Sequence, residues 1–445
     1  MMRGDLTRGA PNNEPESQRA NYSWLQPLMW QYRSEIMIAI DEAQKTVLDA
    51  CDALAPVATP CEQMSGRVLA QNVVAPENVP PFANSAVDGY AVRTADTHAV
   101  PIDLLVVDTV AAGAEPMIAV GAGQAIRIMT GAPMPQGADA VVMVEDTQRI
   151  GDDRVSIGKA AKLHDAIRDA GSDVIKGDTV FVAGTVLNAA GAGVLASVNA
   201  RVVQAYPRAR VALLSTGDEL VTDGSPLKIG QIRESNLTML DAMIAASGCE
   251  VINLGIIKDD EALLERVLLD VIERCDAIVT SGGVSMGDFD VVKAVLSRIA
   301  KMQWMQLAIK PAKPFAFGQL QASDGRVVPI FGLPGNPVSS MISYELLARP
   351  ALRKMMGHTH DLLRPTVRAV LDAPIKRKQD GKVHYVRVFG GFEADGRLHV
   401  RDTGPQGSHQ LASTALANGL AYVPDSTGIE AGGEVDVYVI GDLLG

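Results

Sequence analysis

Between residues 208 and 299 apolar runs alternate with helical segments, and that alternation constrains the fold more tightly than any other feature of the chain. Val211-Ala212-Leu213-Leu214 reads as a strand ending in Ser215-Thr216-Gly217-Asp218-Glu219. A helix over 236–247, a strand over 250–257 and the pair Asp259-Asp260 follow. A second helix over 261–274 leads to a strand at 277–280, a glycine loop and a third helix from near residue 290 to 299. Strands and helices in this order predict a parallel sheet with right-handed crossovers. Ligands in such sheets bind beyond the carboxyl ends of the strands. The loops at 215–219, 257–260 and 281–290 are therefore expected on one edge, as one site.

The stretch from Thr280 to Ser339 supplies the chemistry for that edge. It reads TSGGVSMGDFD, then AIKPAKPFAFG, then GLPGNPVS. Ser281, Gly282, Gly283 and Ser285 offer flexible backbone and hydroxyls, and Asp288 and Asp290 offer hard oxygen ligands for a cation such as Mg²⁺. Asp290 is equally placed to cap the helix behind it, as are Asp259 and Asp260 before Glu261. Lys310 and Lys313 stand in Lys-Pro-Ala-Lys-Pro, where proline restricts the backbone on both sides. A merely solvated lysine gains nothing from that rigidity, so an anion role is favoured. Pro334 and Pro337 flank Gly335-Asn336 in a stiff turn that opens a helix near Val338, where unpaired amides face outward. Together these groups suit a phosphorylated substrate with a divalent cation.

Composition excludes several classes. A net charge of −12 argues against a general nucleic-acid binder, so an anionic small molecule must meet local positive charge. No apolar run approaches the roughly 18–20 residues of a membrane span. Cys51, Cys61, Cys249 and Cys275 form no CxxC pair and are expected as reduced thiols in a cytoplasm. Gly191-x-Gly193-x-x-Ala196 matches a dinucleotide fingerprint only superficially, because no βαβ unit surrounds it; close helix packing is the better reading. His358 and His360 have metal-like spacing without a third ligand and are expected to be structural.

With 445 residues the chain is long enough for about three domains. Residues 1–36 are polar and proline-rich, which predicts a flexible extension or an over-long start before Met37; a docking peptide is the alternative. Residues 37–80 and 174–205 form a linker domain, with a helix over 38–51 and a strand and second helix within 57–74. Residues 81–173 show short apolar runs broken by Gly, Pro and Asp and are expected to be an inserted β module. In it, Asn84-Ser85-Ala86-Val87-Asp88-Gly89-Tyr90 and the loop around Thr130 combine polar side chains with turn signals. Residues 206–357 form the α/β domain, and 358–445 a C-terminal β domain.

The segments PPFANSAVDGYAVR, RIMTGAPMPQGADAVV, STGDEL, CEVINLGIIKDD, TSGGVSMGDFD, AIKPAKPFAFG, GLPGNP and TGPQGSH, in this order, closely resemble the molybdopterin molybdenumtransferase family, the MoeA enzymes and the gephyrin E domain. The resemblance spans about residues 37–445. It implies a homodimer with an α/β molybdopterin-binding domain, and active sites formed between one subunit's inserted module and the other's α/β domain. The implied reaction inserts molybdate into adenylylated molybdopterin, giving molybdenum cofactor and AMP, with Mg²⁺ required. Asp88, Thr130, Glu219, Asp259, Asp290, Pro334 and Pro337 carry over as functional positions. Asp259 and Asp290 are the implied metal ligands. Ser215, Thr216, Gly217, Ser281, Gly282, Gly283, Ser285, Lys310, Lys313, Pro334 and Pro337 are the implied substrate-binding residues. The molybdopterin adenylyltransferase and cofactor-accepting enzymes are implied protein partners.

Ala83, Val87, Asp169 and Ser172 depart from the family pattern of an acid, Met, Arg and Glu. Asp169 reverses a charge, so an anion contact through that position is lost. The alternative function is accordingly a molybdopterin-binding scaffold or regulatory paralogue with little metal-insertion activity.

Overall fold

The computed structural model describes residues 37–284 and 291–443. Ser285, Asp288 and Asp290, and the N-terminal extension, lie outside the described residues. The chain forms two compact units, one containing 37–51, Arg210–Ala351 and Leu363–Gly445, the other Asp52–Ala209 and Leu352–Leu362.

In the first unit a six-stranded sheet runs in the order Glu250–Ile257, Arg210–Thr216, Ala277–Ser281, Val327–Leu333, Pro314–Gln321, Lys301–Gln306. The first four are parallel neighbours, with Ser215 opposite Ser281 and Ser281 opposite Leu333. Arg210–Thr216 and Ala277–Ser281 are buried almost throughout, as strands covered on both faces must be. Helices Asn236–Ala246, Glu261–Val271 and Val291–Ile299 match the sequence expectation. Leu264 and Leu268 from one helix and Val292 and Val295 from another pack with Ala212, Leu214 and Ile278 in one core. The expectation of a parallel sheet is met only in part. Pro314–Gln321 runs antiparallel to both of its neighbours, Val327–Leu333 and Lys301–Gln306, and a tight turn around Gly325 sends the chain straight back from it along Val327–Leu333.

The C-terminal part of this unit is a small barrel. Val383–Phe392, Leu398–Asp402, Thr366–Leu371, Glu434–Val439 and Gly419–Val423 pair in that order, and the last pairs back to the first. Closure removes the sheet edges. Residues 37–51 pack within this unit. Ile38 bridges to Leu307, and the Gln44 amide donates to the Leu346 carbonyl within it.

The second unit carries a six-stranded sheet, Ala140–Met143, Gly89–Val92, Gln124–Ile128, Ile102–Val110, Arg154–Ile157, Thr147–Ile150. Successive residues serve opposite faces: Tyr90 and Val142 enter one apolar cluster, Ala91 and Val141 the other. Antiparallel pairs bracket this sheet as the chain enters and leaves, Val73–Val74 with Thr179–Phe181 and Asn84–Ser85 with Ile167–Arg168. The helix expected within 57–74 is absent. Gly66 has a φ of +79°, and the extended residues 67–69 exchange backbone hydrogen bonds with Thr185 and Leu187, so tertiary pairing replaces a helix. Helix Ala189–Ser197 is capped by Asn188, and a Cβ on Gly191 would meet Leu187 Cδ2 at 2.9 Å, which supports the packing reading. The four cysteines are buried and form no disulfide.

Leu268 has no exposed surface in the α/β core. Leu268→Ala is expected to destabilise by about 3 kcal/mol through lost transfer energy and a residual cavity. Urea unfolding checks this; a loss below about 1 kcal/mol would show that the helix does not seal that core.

Candidate active site

A cleft of about 680 Å³ opens at the carboxyl edge of the parallel strands. Ser215, Thr216, Gly217 and Glu219 form one side, Ser281, Gly282 and Gly283 the middle, and Pro334 and Pro337 another. Asp259 joins them from the end of the neighbouring strand. The parallel register brings these loops together, as expected for crossovers of one hand.

Backbone freedom sets how closely they meet. Gly217 has a φ of +144°, and a Cβ there would stand 2.5 Å from Glu219 Oε2, so the Glu219 carboxylate folds over a position only glycine fills. Gly282, at φ +90°, would place a Cβ 3.2 Å from the Thr216 carbonyl. Asn236 then pins two loops at once. Its Nδ2 donates to Ser281 Oγ at 2.8 Å and to the Gly335 carbonyl at 2.7 Å. Ser215 Oγ donates to the Ser281 carbonyl at 3.2 Å.

The paired acids separate cleanly. Asp260 is the helix cap, accepting from the Leu263 amide at 2.9 Å. Asp259 is exposed and lines the cleft. Pro337 occupies the first turn of helix Pro337–Ser343, where a missing N–H costs nothing. Lys310 and Lys313 are exposed but do not line the cleft. Lys310 lies in the short strand beside His384, and Lys313 directly precedes Pro314, a cleft residue.

Asn236, Arg233 and Glu234 line the cleft and were missed by sequence reasoning. Asn236 reads as an ordinary helix start, and only the fold reveals that its amide faces two loops distant in the chain. Glu234 Oε1 accepts from the Leu237 amide at 2.9 Å, satisfying the start of helix Asn236–Ala246.

In the second unit the structure joins Asp88 and Thr130. Asp88 Oδ1 accepts from the Thr130 amide at 2.7 Å and from Thr130 Oγ1 at 2.8 Å. These two hydrogen bonds, aided by the Arg127 charge, hold the exposed Asp88 carboxyl below its ordinary pKa. Arg127 also donates to the Gly89 carbonyl and lies over the Tyr90 ring. The departing residues sit beside this element. The Arg168 guanidinium donates to the Ala86 carbonyl at 3.4 Å, and Asp169 lies 3.5 Å from the His164 ring. His358 is buried with its Nδ1 3.3 Å from the Arg353 guanidinium, and no group of three or more metal-ligating side chains occurs among the described residues.

Three family models match the chain in succession. The MoeA N-terminal region (domain I and II) matches residues 38–199, a probable molybdopterin binding domain matches 212–354, and the MoeA C-terminal region (domain IV) matches 368–440. The chain belongs to the MoeA family. A molybdopterin molybdenumtransferase of Haemophilus influenzae is 35% identical over 92% of this chain and 100% of its own length, so the likeness extends across every domain. Molybdopterin molybdenumtransferase 2 of Mycobacterium tuberculosis is 37% identical over 90% of this chain and 99% of that protein. Among solved structures, a molybdopterin biosynthesis MoeA protein from Pyrococcus horikosii superposes with a TM-score of 0.73 at 30% identity, covering 92% of this chain and 100% of that one. Among the described residues, no helix of this MoeA family member is long and apolar enough to cross a membrane.

Thr130→Ala is expected to move the Asp88 carboxyl pKa upward towards its ordinary value, because one of the two hydrogen bonds to the ionised form is lost. A carboxyl-resolved NMR titration reads this directly, and an unchanged midpoint would show that the pair is not formed in solution.

Proposed function

We propose that this chain inserts molybdate into adenylylated molybdopterin, forming molybdenum cofactor and releasing AMP. The carrying observation is the cleft at the sheet edge, which sets glycine loops against the carboxylates of Glu219 and Asp259 in a chain matched along nearly its whole length by MoeA family models.

A bound Mg²⁺ would fit this donor set. Exposed carboxylate oxygens suit a hard cation that takes its remaining ligands from water and substrate phosphates. Asp259 and, outside the described residues, Asp290 would hold it. The ion would withdraw charge from the phosphoanhydride and ease departure of AMP. The protein's own part is positioning. The Gly282-Gly283 backbone admits the substrate closely, Asn236 holds the Ser281 and Pro334–Pro337 loops in fixed spacing, and Glu219 occupies the wall over Gly217. The working form we infer is a cytoplasmic homodimer in which Asp88 and Thr130 of one subunit complete the cleft of the other. The molybdopterin adenylyltransferase and the cofactor-accepting enzymes would be the protein partners before and after this step.

Incubation with adenylylated molybdopterin, molybdate and Mg²⁺ is expected to release AMP in a molybdate-dependent way. Asp259→Ala is expected to lower that rate at least about a hundredfold, the scale of losing an electrostatic contact to the reacting group. Asp260→Ala is expected to cost about 1 kcal/mol of stability as a lost cap while activity persists. Substrate binding without molybdate-dependent AMP would contradict the enzyme and favour a scaffold or regulatory role.

A further inference from the structure

The cleft is electrostatically one-sided for a substrate that carries phosphates. Its other ionisable lining groups, Glu219, Glu234 and Asp259, are acids, and Arg233 is the one cationic side chain among the described lining residues. At the helix start near Asn236 the Glu234 carboxylate takes the Leu237 amide. Arg233 is held on a stiff mount. Ile232–Arg233 pairs in parallel with Leu220–Val221, and the amides on either side donate to the Glu219 carbonyl at 2.9 Å and the Val221 carbonyl at 3.2 Å. Its guanidinium is exposed, and among the described residues it makes one hydrogen bond, from Nη2 to the Ser225 carbonyl. Asp223 acts on it electrostatically from the same loop and is itself tied down by the Ser225 amide at 2.9 Å. Nε, Nη1 and the second proton of Nη2 therefore remain for a ligand, enough for one bidentate edge of the kind that matches phosphate oxygens.

We propose that Arg233 is a substrate-specificity residue that grips a phosphate oxygen of the diphosphate group, with the Asp223–Ser225 loop holding the guanidinium ready at the cleft rim. This rests on the reading of the cleft as the site for adenylylated molybdopterin. An Arg at this position offsets the acid-lined wall and selects diphosphate-containing substrates over their uncharged analogues. It holds a non-bridging phosphate oxygen in the bound substrate and in the transition state alike, so it should move KM and leave kcat.

The test uses the full chain and the variants Arg233→Ala, Arg233→Lys and Asp223→Ala. Two readouts are needed: kcat and KM for molybdate-dependent AMP release, and calorimetric affinity for ADP as a stable diphosphate probe. Arg233→Ala is expected to raise KM and weaken ADP binding about tenfold with kcat within about threefold, and Arg233→Lys to fall between, since Lys keeps the charge and loses the fork. Asp223→Ala loosens the loop that carries the guanidinium but removes no phosphate contact, so its rise in KM and loss of ADP affinity should be clearly smaller than those of Arg233→Ala. Unchanged KM and ADP affinity in Arg233→Ala would overturn the proposal while leaving the enzymatic reading intact. An equal loss in Asp223→Ala would also overturn it, by showing that Arg233 only braces the loop. If the wild-type chain releases no AMP but ADP binding still depends on Arg233, the diphosphate grip stands and the enzymatic reading fails.

Discussion

Parallel pairing of Arg210–Thr216, Ala277–Ser281 and Val327–Leu333 is the constraint on which the site depends. Three strands of one direction, held in register, must release their following loops at one edge. Ser215, Ser281 and Leu333 stand side by side across that edge. The loops could still splay apart, and the Asn236 amide prevents this by donating to two of them. Glycine at 217 and 282 then supplies the positive φ that these turns adopt, at +144° and +90°. Fold and site are thus one consequence of strand direction, with a single buried amide setting the spacing.

Local chemistry explains what could be read before the fold was known. The strand and helix pattern from Arg208 to Ile299 is strongly periodic, so its elements emerge where expected. Asp260 and Asp259 show where such reading stops. Both precede a helix, yet only the backbone decides that one caps it while the other turns to the cleft. Residues 66–70 mislead because their apolar spacing fits a helix, whereas the amides of Gly66, Leu69 and Ala70 donate to carbonyls more than a hundred positions away. Closure of the C-terminal barrel depends on the pairing of Val383–Phe392 with Gly419–Val423, which no local window contains. Asn236 escaped notice for the same reason, since its amide bonds two loops that lie far away in the chain.

Electrostatics divides the work among the described residues. The cleft carries Glu219, Glu234 and Asp259, which suits a cation and would repel a phosphate without one. Asp88, in the other unit, is held ionised by the Thr130 hydrogen bonds and so presents a fixed negative acceptor. The residues that depart from the family pattern, Ala83, Val87, Asp169 and Ser172, lie in the unit of Asp88, while the described part of the sheet-edge cleft keeps its expected glycines, acids and prolines. The departures noted from the family pattern therefore fall in the second unit, and none falls in the wall of the cleft.

The central claim is that the sheet-edge cleft receives the adenylylated substrate. A crystal structure of the chain grown with AMP and Mg²⁺ tests it most directly. The account predicts nucleotide density against Ser215–Gly217, Gly282-Gly283 and Pro334–Pro337, with its phosphate towards Asp259. Nucleotide bound elsewhere, with this cleft filled only by solvent, would contradict it.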